Sequence, residues 1–528
     1  MPCPFIPKIR PWPGCHNNRR GTMTAASALL SLVFAALALS MLYMSRIHLR
    51  ISGAKKDIRI LEFAAENGVK QGYDAFIRCL RNRPSPQPIS QSEMETFYQD
   101  CMDSGTAVPA HFLDMTLPLT SQGGWDQMEW ASETRFEPET PQDAGEYFLA
   151  DFNYLVSAAG RFTPNSRSAH KSLQGGLVFY CGRLPLSMLP LAVDKETPPD
   201  NPADYLEEKG VSLSHPKNPG TAKPYFSKDP MIPDMPVKAL EEALKTEIFH
   251  PQDLTSRRLR AILGLEESDD PVPEGVYLIQ DDLGLGGVFV QGDVLEMILA
   301  ITGDFQAIHF KMNAGNWLLK FNPAASETHF ITPAEEFIYA LVPRGILIIN
   351  GAVQSLGGGI ETGSGDYELI QDEEIPCLLN SVRLTIISTE EVTLTSHLLQ
   401  EGVEWQDGMP YVKDGKAQLN ICAAGCGLGE GEGGDGRIKI SEDAPQDMKI
   451  QASLTAAGEG FEIEGEDKSI TWYGALHTTD ISNPDSRLDI LADDRFLLHP
   501  ELLHESPRSR IPLLHAAGLY IKEWNDNE

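Results

Sequence analysis

The sequence predicts an α+β protein: a long N-terminal transmembrane helix followed by a mainly β body, for which a parallel β-helix (solenoid) is the favoured arrangement. Three observations predict it. From Thr22 to Ser45 there is no charged residue, a run of 24, and about 20 apolar residues suffice to span a bilayer as a helix. Apolar residues then recur at spacings of three and four as far as Leu80, marking one face of a continuing helix. From Gly275 onward the texture changes to short runs rich in Val, Ile, Leu and aromatics, set off by turn residues.

A chain of 528 residues exceeds what one core usually organises, so at least two globular units are expected beyond the apolar segment. The formal net charge of -32 is spread unevenly. Residues 1–83 hold 13 Lys and Arg against four acids, whereas the remainder holds 30 against 71, so a basic stem carries a body of net charge about -41. Such a body repels nucleic acid phosphates, which excludes nucleic acid as a partner; plain solubility accounts for the charge. The eight cysteines form no paired Cys-x-x-Cys units, and no structural zinc is expected. In an oxidising compartment Cys79 with Cys101 and Cys422 with Cys426 are candidate disulfides, and the pairing stays open.

Residues 1–21 are a basic leader ending in Arg19-Arg20-Gly21. Residues 22–83 form the transmembrane and amphipathic helix. Its uncharged run is too long for the apolar core of a secretory signal, roughly 7 to 15 residues. Beyond Arg46, Ile58, Leu61, Ala65, Val69, Tyr73, Phe76 and Leu80 share one face, and Pro84, with Pro86 and Pro88 behind it, is the first firm stop. The product is one helix of about 60 residues, roughly 90 Å at 1.5 Å per residue. If the rod breaks, Ser52 and Gly53 are the place. Arg46, Arg50, Lys55, Lys56 and Arg59 match the leader's Lys8, Arg10, Arg19 and Arg20, so charge asymmetry does not orient it.

Residues 84–270 are a mixed α/β and Pro-rich region. "SEMETFYQDCMDS" is a short helix, "GEYFLADFNYLVS" alternates as a half-buried strand, and "GGLVFYCGRLPLSMLP" is a buried strand ending at Pro185. Prolines between Pro185 and Pro236 exclude long regular elements and suggest a linker or irregular surface loop. "PVKALEEALKTEIF" and "SRRLRAILGL" are helices. Residues 271–421 are a β-rich domain whose short strands in series suit a sandwich, a barrel or a solenoid. The strand-turn units of "RGILIINGAVQSLGGGIE" and "NSVRLTIISTEEVTLTSHLL" favour the solenoid. Residues 422–437 are a Gly-rich linker, and 438–528 a β-rich C-terminal region that folds back onto the body.

No catalytic constellation emerges, so the chain is expected not to be an enzyme. Gly429, Gly431 and Gly434 satisfy Gly-x-Gly-x-x-Gly, but Glu430 and Glu432 between them repel phosphate, and the strand and helix of a dinucleotide site are missing. Glu430, Glu432, Asp435 and Asp443 have the oxygen chemistry for calcium without the spacing of a known calcium loop. His499 and His504 stand five apart around Pro500, where a zincin needs four. No cofactor and no metal are expected.

The leader, the uncharged helix and the following "AKKDIRILEFAAENGVKQGYDAFIR" resemble the N-terminus of type IV pilin-like proteins, particularly minor pilins of the PilX kind and the K-type pseudopilin of type II secretion. In that family a membrane peptidase cuts after the glycine. The resemblance therefore implies that Gly21 and Thr22 flank a cleavage site, with a prepilin peptidase, other pilin or pseudopilin subunits and membrane lipid as partners. It also implies a single pass through the inner membrane with the body outside the cytoplasm. Family members commonly begin the mature chain with Phe or Met and often carry Glu at its fifth position. Thr22 and Ala26 stand there instead, which favours a tip or priming role. Ala25, Ala26, Ala28, Ala35, Ala36 and Ala38 would let neighbouring helices approach. "GVYLIQDDLGLGGVFVQGDVLEMILAITGDFQAIHF", "GILIINGAV", "VRLTIISTEEVTLTSHL" and "IQASLTAAGEGFEIEGEDKSITWYGAL" are similar to a β-rich domain of unknown function found behind PilX-type helices. The competing reading is a membrane-anchored surface β-helix protein acting on or binding polysaccharide.

Overall fold

The computed structural model describes residues 19–81, 87–102, 119–125, 128–138, 142–143, 147–162, 167–185, 188–195, 197, 199, 201–214, 224–227, 235–245, 254–281, 284–363, 365–406, 408–413, 415–428, 433–483, 485–493, 495 and 510–525. One long N-terminal helix precedes a strand-rich body, with 48% of the described residues in strands and 23% in helix, an α+β chain. That helix, α1 (Arg19–Arg81), is continuous for 63 residues. It runs unbroken through Ser52 and Gly53 and ends before Pro84. Among the described residues it is the single helix long and apolar enough to cross a membrane.

The second half of α1 lies on an antiparallel sheet of seven strands. Strands Leu119–Trp125, Met128–Pro138, Tyr147–Phe162 and Arg167–Pro185 follow one another as neighbours. The last described segment, Arg510–Asn525, then inserts between Arg167–Pro185 and Gln87–Pro88. Alternation decides which side faces the helix. Ala150, Phe152, Tyr154, Val156 and Ala158 of one strand and Leu173, Leu177, Phe179 and Cys181 of the next are all buried in one core with Val69 and Phe76 of α1. Helix α2 (Gln91–Met102) closes that core with Phe97 and Cys101. Its start is a reciprocal cap: Ser90 N–H donates to Glu93 Oε2 at 2.7 Å, and Glu93 N–H donates to Ser90 Oγ at 3.2 Å.

Apart from an antiparallel meander from Val294–Thr302 to Glu336–Tyr339 and the antiparallel pair Gly275–Asp281 with Gly284–Gln291, the rest of the body is built largely on parallel ladders. In a nine-stranded sheet, Val288, Leu347, Ile386, Ile421, Leu454, Leu476 and Leu191 stand in register. An eleven-stranded sheet aligns Val294, Val353, Val392 and Ile438, and a four-stranded one aligns Met448, Ile470, Leu488 and Val211. These three columns point into one core. Like stacks on like, so each added strand buries its β-branched or leucine side chain against the previous one.

The stretch after Pro185 is not a linker. Leu191–Asp194 pairs with Ala475–Thr478, Val211–Ser214 pairs with Arg487–Leu491, and α3 (Pro202–Glu208) lies beside them. Prolines keep these elements short, yet the chain has placed its early residues at the end of ladders that later residues complete. Helices α4 (Met235–Leu244) and α5 (Ser256–Ile262) then cover the nine-stranded sheet, burying Val237, Leu240 and Leu259 with Ile348, Ile387 and Cys422. Gly275–Asp281 begins at the opposite edge, and successive strands wind back toward the start.

The described residues of the Gly-rich tract, 422–428 and 433–437, lie at a corner within this body. Cys422 and Ala423 end the strand Gln418–Ala423, and Arg437 begins the strand Arg437–Ile440 of another sheet. Gly425 and Gly436 hold φ of +67° and +58°, and a side chain on Gly436 would meet the backbone of Gly425 at 2.6 Å. Close stacking of backbone, rather than a flexible joint, explains glycine there. The segment 438–493 continues the ladders, whereas Arg510–Asn525 belongs to the sheet beneath α1.

At the far edge of the eleven-stranded sheet, His329 joins two strands. Its Nδ1 lies 2.9 Å from Glu336 Oε1 and its Nε2 lies 2.6 Å from Glu327 Oε1. Only an imidazolium donates from both nitrogens, and the Glu336 and Glu327 carboxylates raise its pKa above the ordinary histidine value. A raised value means that this stabilisation is complete below the unfolded-state pKa and is lost as pH rises through the folded one. A proton NMR titration of His329 is expected to give a midpoint above that of a free imidazole. Glu336→Gln should lower it, and an unshifted midpoint would contradict the clasp.

Candidate functional site: a two-part helix

Helix α1 has two halves with opposite surroundings. Leu29, Leu32, Leu39, Leu42, Tyr43 and Leu49 are between 69% and 72% exposed, Leu30 is 61% and Phe34 62% exposed. Apolar exposure on that scale is the surface of a membrane anchor or of a signal sequence. Arg46, Arg50, Lys55, Lys56 and Arg59 mark the change to the second half. There Leu61, Ala64, Ala65, Val69 and Phe76 are buried at 3% exposure or less. Their spacing of three, four and seven keeps them on one face. Of the residues expected on that face, Leu61, Ala65, Val69 and Phe76 are buried, Tyr73 is half-buried and Ile58 is exposed.

The docking is close because glycines permit it. A side-chain carbon on Gly160 of the strand Tyr147–Phe162 would meet the Leu61 carbonyl oxygen at 2.6 Å and the Ala65 nitrogen at 2.8 Å. On the helix, a carbon on Gly68 would meet Ala158 at 2.8 Å, and one on Gly72 would meet Ser132 Oγ at 2.7 Å. Backbone therefore rests almost on backbone, and aromatic rings flank the contact: Phe76 and Tyr154 centroids are 5.2 Å apart, Tyr73 and Tyr154 6.2 Å. Sequence reasoning missed these three glycines. The signal for two of them was the spacing of four between Gly68 and Gly72 beside Ala64 and Ala65.

Gly21 and Thr22 lie in the first turn of α1, whose backbone is helical from Arg19. Residues 1–18, most of the expected leader, fall outside the described residues, as do Gly429, Glu430, Gly431, Glu432, His499 and His504. Asp435 is placed near Glu390, whose pKa is raised by burial and then by Asp293, Asp435 and Glu391. Asp443 sits apart in an exposed turn, its N–H donating to Ser441 Oγ at 3.1 Å. No group of three or more His, Cys, Asp or Glu is disposed to hold a metal ion among the described residues. Cys101 and Cys422 form no disulfide among the described residues, the side chain of Cys79 lying outside them, and burial pushes the Cys101 thiol up to about 12 and raises that of Cys422. Cys101 shares its core with Cys181.

Comparison with known proteins finds no matching family model, no similar curated protein and no similar solved structure. The site is thus defined by its own geometry: an apolar rod, bare along one half and seated on a sheet along the other.

Gly160→Leu is expected to lift α1 from the sheet. The overpacking costs about 1–3 kcal/mol or more because the obstacle is backbone, and thermal unfolding followed by circular dichroism measures it. Gly53→Leu is the control. Nothing lies within 4 Å of a carbon added there, and replacing a helical glycine should leave stability unchanged or slightly raised. Equal melting curves for Gly160→Leu and the parent would contradict the close docking.

Proposed function

We propose that the chain is a membrane-inserted, pilin-like structural subunit of a type IV pilus or type II secretion filament, of the PilX or K-type pseudopilin kind. The observation that carries this reading is the division of α1. Its bare apolar half has the length and surface to sit in lipid before assembly and to pack against kindred helices afterwards, while its other half is the spine of a sheet-based domain. A simple anchor needs no such spine. In this reading prepilin peptidase removes the leader between Gly21 and Thr22, and the subunit crosses the inner membrane once with its body outside the cytoplasm. The acidic body is presented outward and assembly runs through the N-terminal helix.

The body is read as a parallel β-helix set into this domain. Its in-register ladders support that reading, since successive stretches of the chain add strands in turn to the nine-stranded and eleven-stranded sheets and, from Asp447 onward, to the four-stranded one. The same ladders support the second reading, a membrane-anchored surface β-helix protein that binds or acts on polysaccharide.

Intact-mass spectrometry of the membrane-extracted protein separates the two. Expression with an active prepilin peptidase is expected to give a chain starting at Thr22, and Gly21→Leu to block the conversion. A leader retained in the parent chain would leave the anchored reading in its place.

A further inference from the structure

The body carries an open cleft at the edge of its ladders farthest from the elements that follow Pro185. It encloses about 840 Å³ between the strand Gly275–Asp281 and the strand Glu336–Tyr339. Val276 and Leu278 line one side and Trp317, Phe330, Phe337 and Tyr339 the other. Trp317, Phe330 and Val276 also belong to the main core, so the cleft is an unsealed end of that core. Each bordering strand pairs on one side only among the described strands: Gly275–Asp281 with Gly284–Gln291, and Glu336–Tyr339 with Glu327–Ile331. Such edges present unpaired backbone N–H and C=O groups. The surface beside them is apolar as well. Phe337, Ile338 and Leu341 are 37%, 64% and 43% exposed, where an edge strand is ordinarily blunted by charge or proline.

The border fixes the sign of the partner. The border is acidic on balance: residues 256–274 and 332–336 carry seven Asp and Glu against Arg257, Arg258 and Arg260, with Arg257 paired to Asp269. A second copy of this chain would bring the same negative charge and be repelled. A saccharide would find few polar side chains on the walls and would leave the strand edges unpaired. We propose that this cleft is a docking site for an extended peptide segment of a partner protein, apolar along the strand and basic at its flanks. The segment adds a strand to the edge at Glu336–Tyr339, inserts alternate side chains between the two sheets, and sets its Lys or Arg against the acidic border. The inference rests on the cleft alone and stands whether or not the leader is cleaved.

The test uses the full chain in lipid nanodiscs and a fluorescent peptide, Lys-Lys-Val-Thr-Val-Thr-Val-Lys-Lys, read by anisotropy. Saturable binding is expected. Replacing the flanking lysines by Glu should weaken it about tenfold or more, and N-methylating alternate backbone nitrogens, which leaves the side chains in place, should do the same. The paired change Phe337→Asp and Ile338→Asp should abolish binding, with the melting temperature measured alongside because Phe337 stacks on Phe330 of the core. The methylated peptide on the parent chain decides the matter if that variant unfolds. Equal binding of all three peptides would overturn the proposal. So would no peptide binding alongside capture of cellohexaose, or alongside self-association of the chain.

Discussion

The close seat of α1 on the strand Tyr147–Phe162, made where Gly160 meets the helix backbone between Leu61 and Ala65, is the contact on which the rest depends. It joins a bare apolar rod to a strand-rich body. Without it the second half of α1 would expose Leu61, Val69 and Phe76, and the sheet would expose Phe152, Tyr154 and Phe179. Closeness matters because dispersion falls off steeply with separation, and a gap of even one carbon would forfeit much of it. Small residues on both partners, Gly68 and Gly72 on the helix and Ala158 and Gly160 on the sheet, make the approach possible.

The connectivity reinforces that seat. The chain leaves the sheet after Arg167–Pro185, builds the whole set of parallel ladders, and returns to lay Arg510–Asn525 beside the strand it left. The ladders are therefore an insertion in the sheet domain, held where they enter and where they come back. Tyr180, Met188, Leu189, Ala192 and Ala492 form a small core at this junction, with Tyr147 and Tyr225 packed on it. His477 and Asp194, 3.1 Å apart, bridge the strands that meet there. Closing the ladders with residues from before and after them ties their stability to the sheet in a way that a tandem domain would not.

Much of this was legible in the sequence. The uncharged run, the spacing of Leu61, Ala65, Val69 and Phe76, and the stop at Pro84 define α1 almost to its end, because helix period and proline geometry are local physics. The strand around Tyr147 is readable from alternation and that around Leu177 from its buried apolar run ending at Pro185, for the same reason. What was hidden is non-local. The proline-rich stretch after Pro185 looks like a linker because its elements are four residues long at Leu191–Asp194 and at Val211–Ser214. Its burial comes from partners nearly three hundred positions away. The glycine tract looks like a flexible joint because composition does not report that Gly425 and Gly436 stack. The final strand, Arg510–Asn525, was placed with the β body, since nothing in its own residues names Arg167–Pro185 as its neighbour.

Hydrogen–deuterium exchange of the full chain in nanodiscs tests the seat of α1 most directly. The account predicts that amides from Leu61 to Phe76 exchange as slowly as those of Tyr147–Phe162 and open together with them, as one cooperative unit. Rapid exchange across Leu61 to Phe76 while the sheet stays protected would contradict it, leaving α1 a tether and not a spine.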